Sequence, residues 1–338
     1  MSEMKVDYHL HLEEGPYSPN WIKRTMEAIA RFDSSEKFYH SREYINEQAE
    51  KLQERLQNGP FTMEWLDLYL EQAKRIGIQE MGLVDHLYRF KEFKPYYEKY
   101  IYLEDDELGK MQRKWLEQVC NESHAQFVEL VQEAKEKWAS QGVKLRLGME
   151  TDYFVGGEAE LREILSNHPY DYVIGSVHFL NGWGFDNPET QHLYQQFDLV
   201  ELYEDFFSVV EQAIASEIFD YVAHLDNLKV FGFRPDEKKL LSLYEKIAKK
   251  LIETDTITEI NAGLYYRYPI KEMCPSPAFL KVLANHHVPI TISSDAHFPD
   301  DMGRFAETQL QMLRDVGITE VATFEKGKRI MQAIEKER

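Results

Sequence analysis

Seven short apolar or β-branched runs, each ending in polar, chemically competent residues, constrain this chain more than any other feature. Val6 leads into His9-Leu-His11, residues 80–84 into Asp85-His86, and residues 144–147 into Gly148-Met-Glu150. Residues 172–174 lead through Gly175-Ser-Val to His178, 220–223 into His224-Leu-Asp226, 257–260 into Asn261-Ala-Gly263, and 288–292 into Ser294-Asp295-Ala-His297. Between the runs lie helical patterns. Trp65, Leu66, Tyr69, Leu70, Ala73 and Ile76 recur at helical spacing, with Gly77 as the stop. Residues 127–138, 240–252 and 278–284 repeat the pattern. Strands alternating with helices imply parallel strands joined by right-handed crossovers.

In a parallel β/α barrel the strand C-termini converge on one face, where chemistry is done. That geometry gathers His9, His11, His86, Glu150, His178, His224, Asp295 and His297 around one cavity, although they span nearly the whole chain. Imidazoles with two carboxylates suit zinc, manganese or iron. Residues two apart on a strand point the same way, so His9 and His11 can share an ion, as can Asp295 and His297. Glu150, with two oxygens, can bridge neighbouring ions. Asp7, Asp85 and Asp226 are expected to orient ligating imidazoles. Alone, His-x-His or Asp-Ala-His signifies little; their shared placement at strand ends makes the pattern specific.

Two stretches exceed a minimal repeat and follow strand ends: about 12–60, with helices expected at 21–31 and 41–57, and about 88–125. Such excursions read as walls over the site. Nothing in composition marks a second domain, so residues 1–338 read as one barrel domain.

The formal charge of −20 argues against a nonspecific grip on nucleic acid, and requires local positive charge for any phosphate chemistry. Metals would supply it. The two cysteines, Cys120 and Cys274, read as ordinary buried thiols in a reducing cytoplasm. No apolar stretch approaches a membrane span of roughly 20 residues. The other histidines, His40, His124, His168, His192, His286 and His287, read as exposed or structural. Oligomeric state is open.

The ordered motifs HLH, VDH, GME, GSVH, AHLD, EINAG and SSDAH resemble the PHP family, named for polymerase and histidinol phosphatase domains. GSVHF, AHLDNLKVFGFRP and EINAGLYYRYPIKEMCPSP are most similar to its histidinol-phosphate phosphatase branch, which serves histidine biosynthesis. The resemblance implies a distorted (β/α)7 TIM-like barrel with two or three divalent ions. One ion would take His9, His11, Glu150 and Asp295, a second Glu150, His178 and His224, and a third His86 and His297. Many relatives add a histidine six residues after the second histidine of the first motif; here that position is Tyr17, and Glu14 is the candidate replacement. Lys229, Arg234 and Arg267 stand where the branch would hold substrate phosphate.

The expected function is hydrolysis of a small phosphomonoester, histidinol phosphate foremost, by in-line attack of a metal-bound hydroxide. Glu150, His224 and Asp295 are the expected catalytic residues. Competing readings are a hydrolase of the same scaffold acting on a nucleotide, cyclic phosphate or amide, and a metal-binding protein without activity.

Overall fold

A computed structural model describes residues 6–13, 15, 17–33 and 41–334. The seven apolar runs form β1 (Val6–Leu10), β2 (Glu80–Leu83), β3 (Lys144–Asp152), β4 (Tyr172–Ser176), β7 (Tyr221–Val222), β8 (Ile257–Asn261) and β9 (Ile290–Ser293). They pair in parallel in the order β1-β2-β3-β4-β7-β8-β9. The ring approaches closure where Leu10 bridges Ala296 beyond the end of β9 and His11 N–H donates to Ala296 O at 2.8 Å. This is a distorted TIM-like barrel. Its strands are buried on both faces, which is why they read as continuous apolar runs rather than alternating ones.

The first long excursion contains α1 (Pro19–Arg31) and α2 (Arg42–Asn58), followed by α3 (Met63–Ile76). Ser18, Ser41 and Thr62 cap them, each side-chain oxygen accepting a backbone N–H three residues on. Gly77, at φ 80°, ends α3 in the left-handed conformation that favours glycine. The second excursion holds α4 (Lys94–Tyr100) and α5 (Glu107–Val119) before the crossover helix α6 (His124–Ser140). Further crossovers use α7 (Glu158–Ser166), α8 (Leu199–Ala215), α9 (Leu241–Glu253), and α10 (Gly263–Arg267) with α11 (Pro277–Asn285). Helix α12 (Ala306–Asp315) follows β9.

Two antiparallel hairpins go beyond the alternation expected from sequence. The first, β5 (Phe179–Leu180) with β6 (Trp183–Gly184), directly follows His178. The second, β10 (Glu320–Glu325) with β11 (Lys328–Ala333), turns through Lys326 and Gly327, both at positive φ. It closes the barrel's N-terminal end: Phe324 is 1% exposed and packs against Tyr8, Tyr172 and Tyr221 at centroid distances of 5.6, 5.6 and 5.8 Å. Tyr172 fits because Gly82 and Gly148 present no side chain where its ring lies. Cys120 and Cys274 are buried, unpaired thiols.

Candidate metal centre

The opposite end of the barrel collects eight strand-end residues in one buried cluster. His9, His11, Glu150 and the neighbouring Asp85 are at most 1% exposed, and His178, His224, Asp295 and His297 are each below 9%. Glu150 is the hub. Its Oε2 lies 3.2 Å from His9 Nε2, 3.4 Å from His11 Nε2 and 2.8 Å from His86 Nδ1. Its Oε1 faces His224 Nε2 at 3.2 Å and His178 Nε2 at 3.7 Å, and accepts Ser176 Oγ at 2.6 Å. Burial alone would favour a neutral Glu150, but His86 and His9 outweigh it and hold the carboxyl well below its usual range.

Asp295 Oδ1 lies 3.7 Å from His11 Nε2. The rings of His86 and His297 stack on either side of His11, with centroids 4.3 and 4.2 Å away. Three overlapping groups have donor atoms within 4.8 Å of one another: His9, His11 and Asp295; His86, Glu150 and His178; His11, His86 and His297. Two of these residues also sit on unusual backbone. His224 and Asp295 have φ of 27° and 53°, a region that costs a non-glycine residue roughly 1–3 kcal/mol and is held by surrounding structure.

Buried polar atoms are normally hydrogen-bonded, and each orphan costs about 1–3 kcal/mol. Here His9 Nε2, both ring nitrogens of His11, His224 Nδ1 and Glu150 Oε2 are buried without a hydrogen-bond partner. That concentration of lone-pair donors around one carboxylate fits divalent cations. Imidazole and carboxylate donors are what such an ion replaces water with.

The residues that orient the imidazoles differ from those expected. His9 Nδ1 faces Glu259 at 3.1 Å, and His178 Nδ1 faces Asp152 Oδ1 at 2.8 Å. Burial disfavours charge on either ring, yet Glu259 with Glu150 holds the His9 pKa well above its ordinary value, and Asp152 lifts that of His178 to about 10. Asp7 instead accepts Ser294 N–H and Gly303 N–H, fixing the loop beyond β9, and Asp226 pairs with Lys229. Asp85 remains adjacent to an imidazole, 3.8 Å from His11 Nδ1. The signal for the missed pair was available. Asp152 lies two residues beyond Glu150 on one strand, and Glu259 is a buried acid within a fully buried strand.

Of the three basic residues expected to hold phosphate, the structure brings one to the cluster. Arg267 Nη2 lies 2.8 Å from Asp295 Oδ2, and its Nη1 lies 2.9 Å from His297 Nδ1. Lys229 is completely buried, its Nζ donating to Asp226 Oδ2 and Met273 O at 2.7 Å and lying 2.8 Å from Glu272. Arg234 Nη1 donates to the same Glu272 at 2.6 Å. Lys229 and Arg234 are therefore joined through Glu272 in one ion-pair network.

Tyr17 turns to carboxylates beside the cluster. Its hydroxyl donates to Glu13 Oε2 at 3.2 Å and to Glu122 Oε1 at 3.4 Å, while Trp21 Nε1 and Arg55 Nη2 donate to Glu13 at 2.8 Å each. Glu14 lies outside the described residues, as does His40. His124 is 5% exposed and bonded to Tyr170, a structural role. Among the described residues no helix is long and apolar enough to cross a membrane.

Comparison with known proteins agrees with this geometry. The PHP domain family matches residues 62–263. A probable histidinol-phosphatase of Deinococcus radiodurans is 37% identical over 194 residues, 57% of this chain and 72% of the relative. Another from Schizosaccharomyces pombe is 23% identical over 277 residues, 78% of this chain and 84% of the relative. Among solved structures, histidinol phosphate phosphatase from Lactococcus lactis, complexed with zinc, L-histidinol and phosphate, superposes with a TM-score of 0.62 at 18% identity, covering 96% of this chain and 98% of the other. The putative histidinol phosphatase of Listeria monocytogenes gives 0.64 at 17% identity, covering 90% and 99%. With more than half of its length matched, from the start of α3 to the beginning of α10, the chain belongs to the PHP domain family.

Proposed function

We propose that the chain is a metal-dependent phosphomonoester hydrolase whose substrate is histidinol phosphate, working in the cytoplasm. The observation that carries the reading is the carboxylate of Glu150, surrounded by five imidazoles, of which His9, His11 and His224 have orphaned ring nitrogens, at the mouth of a PHP barrel. The names of the curated relatives supply the substrate.

His9, His11, Glu150 and Asp295 are assigned to one ion, and Glu150, His178 and His224 to a second. His86 and His297 are assigned to a third, with Glu14 as a further donor. Zinc, manganese and iron all suit these donors. When bound, such ions acidify a water toward neutral pH and neutralise phosphoryl oxygens. The protein's own contribution is placement. Glu259 and Asp152 fix the rings of His9 and His178, so that their remaining nitrogens face the cluster. Asn261 Nδ2 donates to Glu259 at 2.8 Å and sits 3.3 Å from Asp295, holding two carboxylates in register. Arg267, planar and permanently charged, is assigned to the phosphate: its two Nη groups form a fork suited to phosphoryl oxygens. Burial of the cluster removes competing water and strengthens each of these charges.

The test is a panel of phosphomonoesters assayed with manganese, zinc and iron. Histidinol phosphate is expected to be turned over well above generic esters; turnover no better than theirs would contradict the substrate assignment.

A further inference from the structure

One acid beside the cluster is assigned neither to an ion nor to the orientation of an imidazole. Asp186 follows the β5–β6 hairpin, and the chain on both sides of it is pinned. Phe185 N–H donates to His178 O at 3.2 Å, and Phe185 O accepts from Tyr194 Oη at 3.3 Å. Asn187 Oδ1 accepts Glu189 N–H at 2.9 Å, while Thr190 Oγ1 donates to Gly184 O at 2.9 Å. The carboxylate itself is half-buried and makes no hydrogen bond or ion pair among the described residues. Burial, the largest influence, raises its pKa, and the charges that act on it are those of His178, Asp152, His86 and His224; it also acts on Tyr88. Tyr88 stacks on His86 at 4.5 Å and meets Trp115 at 4.9 Å, so an aromatic wall borders the same flank.

The cluster thus carries a fixed cation, Arg267, on its Asp295–His297 flank, and an unpaired acid, tethered through Phe185 to the His178 carbonyl, on its His178–His86 flank. We propose that Asp186 is a specificity residue that pairs with a protonated amine on the alcohol portion of the substrate, while the phosphate lies toward Arg267. A carboxylate held in place by its neighbours' bonds but lacking its own is preorganised for a cationic partner, and a charge-assisted hydrogen bond to it is worth roughly a tenfold to hundredfold gain in affinity. The assignment rests on the phosphomonoesterase reading and deepens it by naming the residue that reads the amine of the substrate.

The experiment titrates L-histidinol and its des-amino analogue, which lacks only the ammonium, into the full metal-loaded chain by calorimetry. The wild type is expected to prefer L-histidinol by about tenfold or more. Asp186→Asn should bind the two alike, and Asp186→Glu should regain part of the preference, which a merely structural role would not produce. Metal content and melting temperature, measured on each variant, identify misfolding, and the Glu variant then carries the comparison. A preference that survives in folded Asp186→Asn, or is absent from the wild type, overturns the proposal. If the preference depends on Asp186 yet no phosphate ester is hydrolysed, the phosphatase reading fails and the amine site stands.

Discussion

The two ends of the barrel treat their buried polar groups in opposite ways. At the N-terminal end every polar atom of the tyrosine plug is paired. Tyr8 Oη donates to Glu80 at 2.6 Å and accepts Phe324 N–H at 2.9 Å, and the hydroxyls of Tyr172 and Tyr221 both donate to Tyr8 O, at 2.8 and 3.1 Å. Arg146 in turn neutralises Glu80 at 2.9 Å. At the C-terminal end imidazole nitrogens and a carboxylate oxygen are buried without partners. The lesson is one of division. The satisfied end holds the barrel together, and the unsatisfied end is kept in place by it, ready for ions that complete it.

Substitutions at the two ends should therefore separate activity from stability. The largest effect is expected from Asp295→Ala, which should lower kcat/KM on the order of 10³-fold, about 4 kcal/mol of barrier, with a folded protein by circular dichroism. Tyr172→Ala at the other end should cost about 3–5 kcal/mol of stability through the cavity and the lost hydroxyl bond. Urea unfolding reads it, and the residual folded fraction should keep its specific activity. Loss of specific activity in folded Tyr172→Ala would break the division.

A sharper contrast lies between fully buried Lys229 and half-buried Arg267. Lys229→Ala leaves Asp226 buried without its charge partner, so its loss should appear as a lowered melting temperature, worth about 3 kcal/mol or more. Arg267→Ala should instead raise KM for a phosphomonoester roughly tenfold to hundredfold, the worth of a charged hydrogen-bonded pair. Steady-state kinetics beside a thermal melt distinguish them; a KM effect in folded Lys229→Ala would return that lysine to the substrate site.

The smallest effect concerns neither end. His124, at the start of α6, is buried against Tyr170 and beside His168, and desolvation first, then His168, pushes its pKa down to about 4. The fold therefore prefers the neutral ring. As pH falls below the ordinary histidine value of 6.5, the unfolded chain takes up a proton that the folded chain refuses until about 4. Stability is accordingly lost through that window, by on the order of 1 kcal/mol, and the loss should be shallower in His124→Gln when urea midpoints are compared.

The strand-end histidines were legible in the sequence because β/α alternation dictates which end of each strand gathers. That rule needs only order and hydrophobicity, and it placed His9 and Asp295 together across nearly the whole chain. What it does not supply is pairing. The partners of Lys229 depend on Glu272 and Met273 folding back over it, a contact set by the loop after α10. Glu259 was overlooked because an acid within a short buried strand reads as an interruption until His9 is seen opposite it. The β10–β11 hairpin carries only a local signal, Lys326-Gly327 between residues of β character, which β/α alternation does not contain.

The assignment of Glu150 as the shared ligand of a multinuclear site is open to direct measurement. Elemental analysis of protein purified without chelator tests it directly, with Glu150→Ala alongside. Two or three divalent ions per chain are expected for the wild type, falling together with activity in the variant. A wild type holding no stoichiometric metal, or a Glu150→Ala protein that keeps its ions and its turnover, would contradict it.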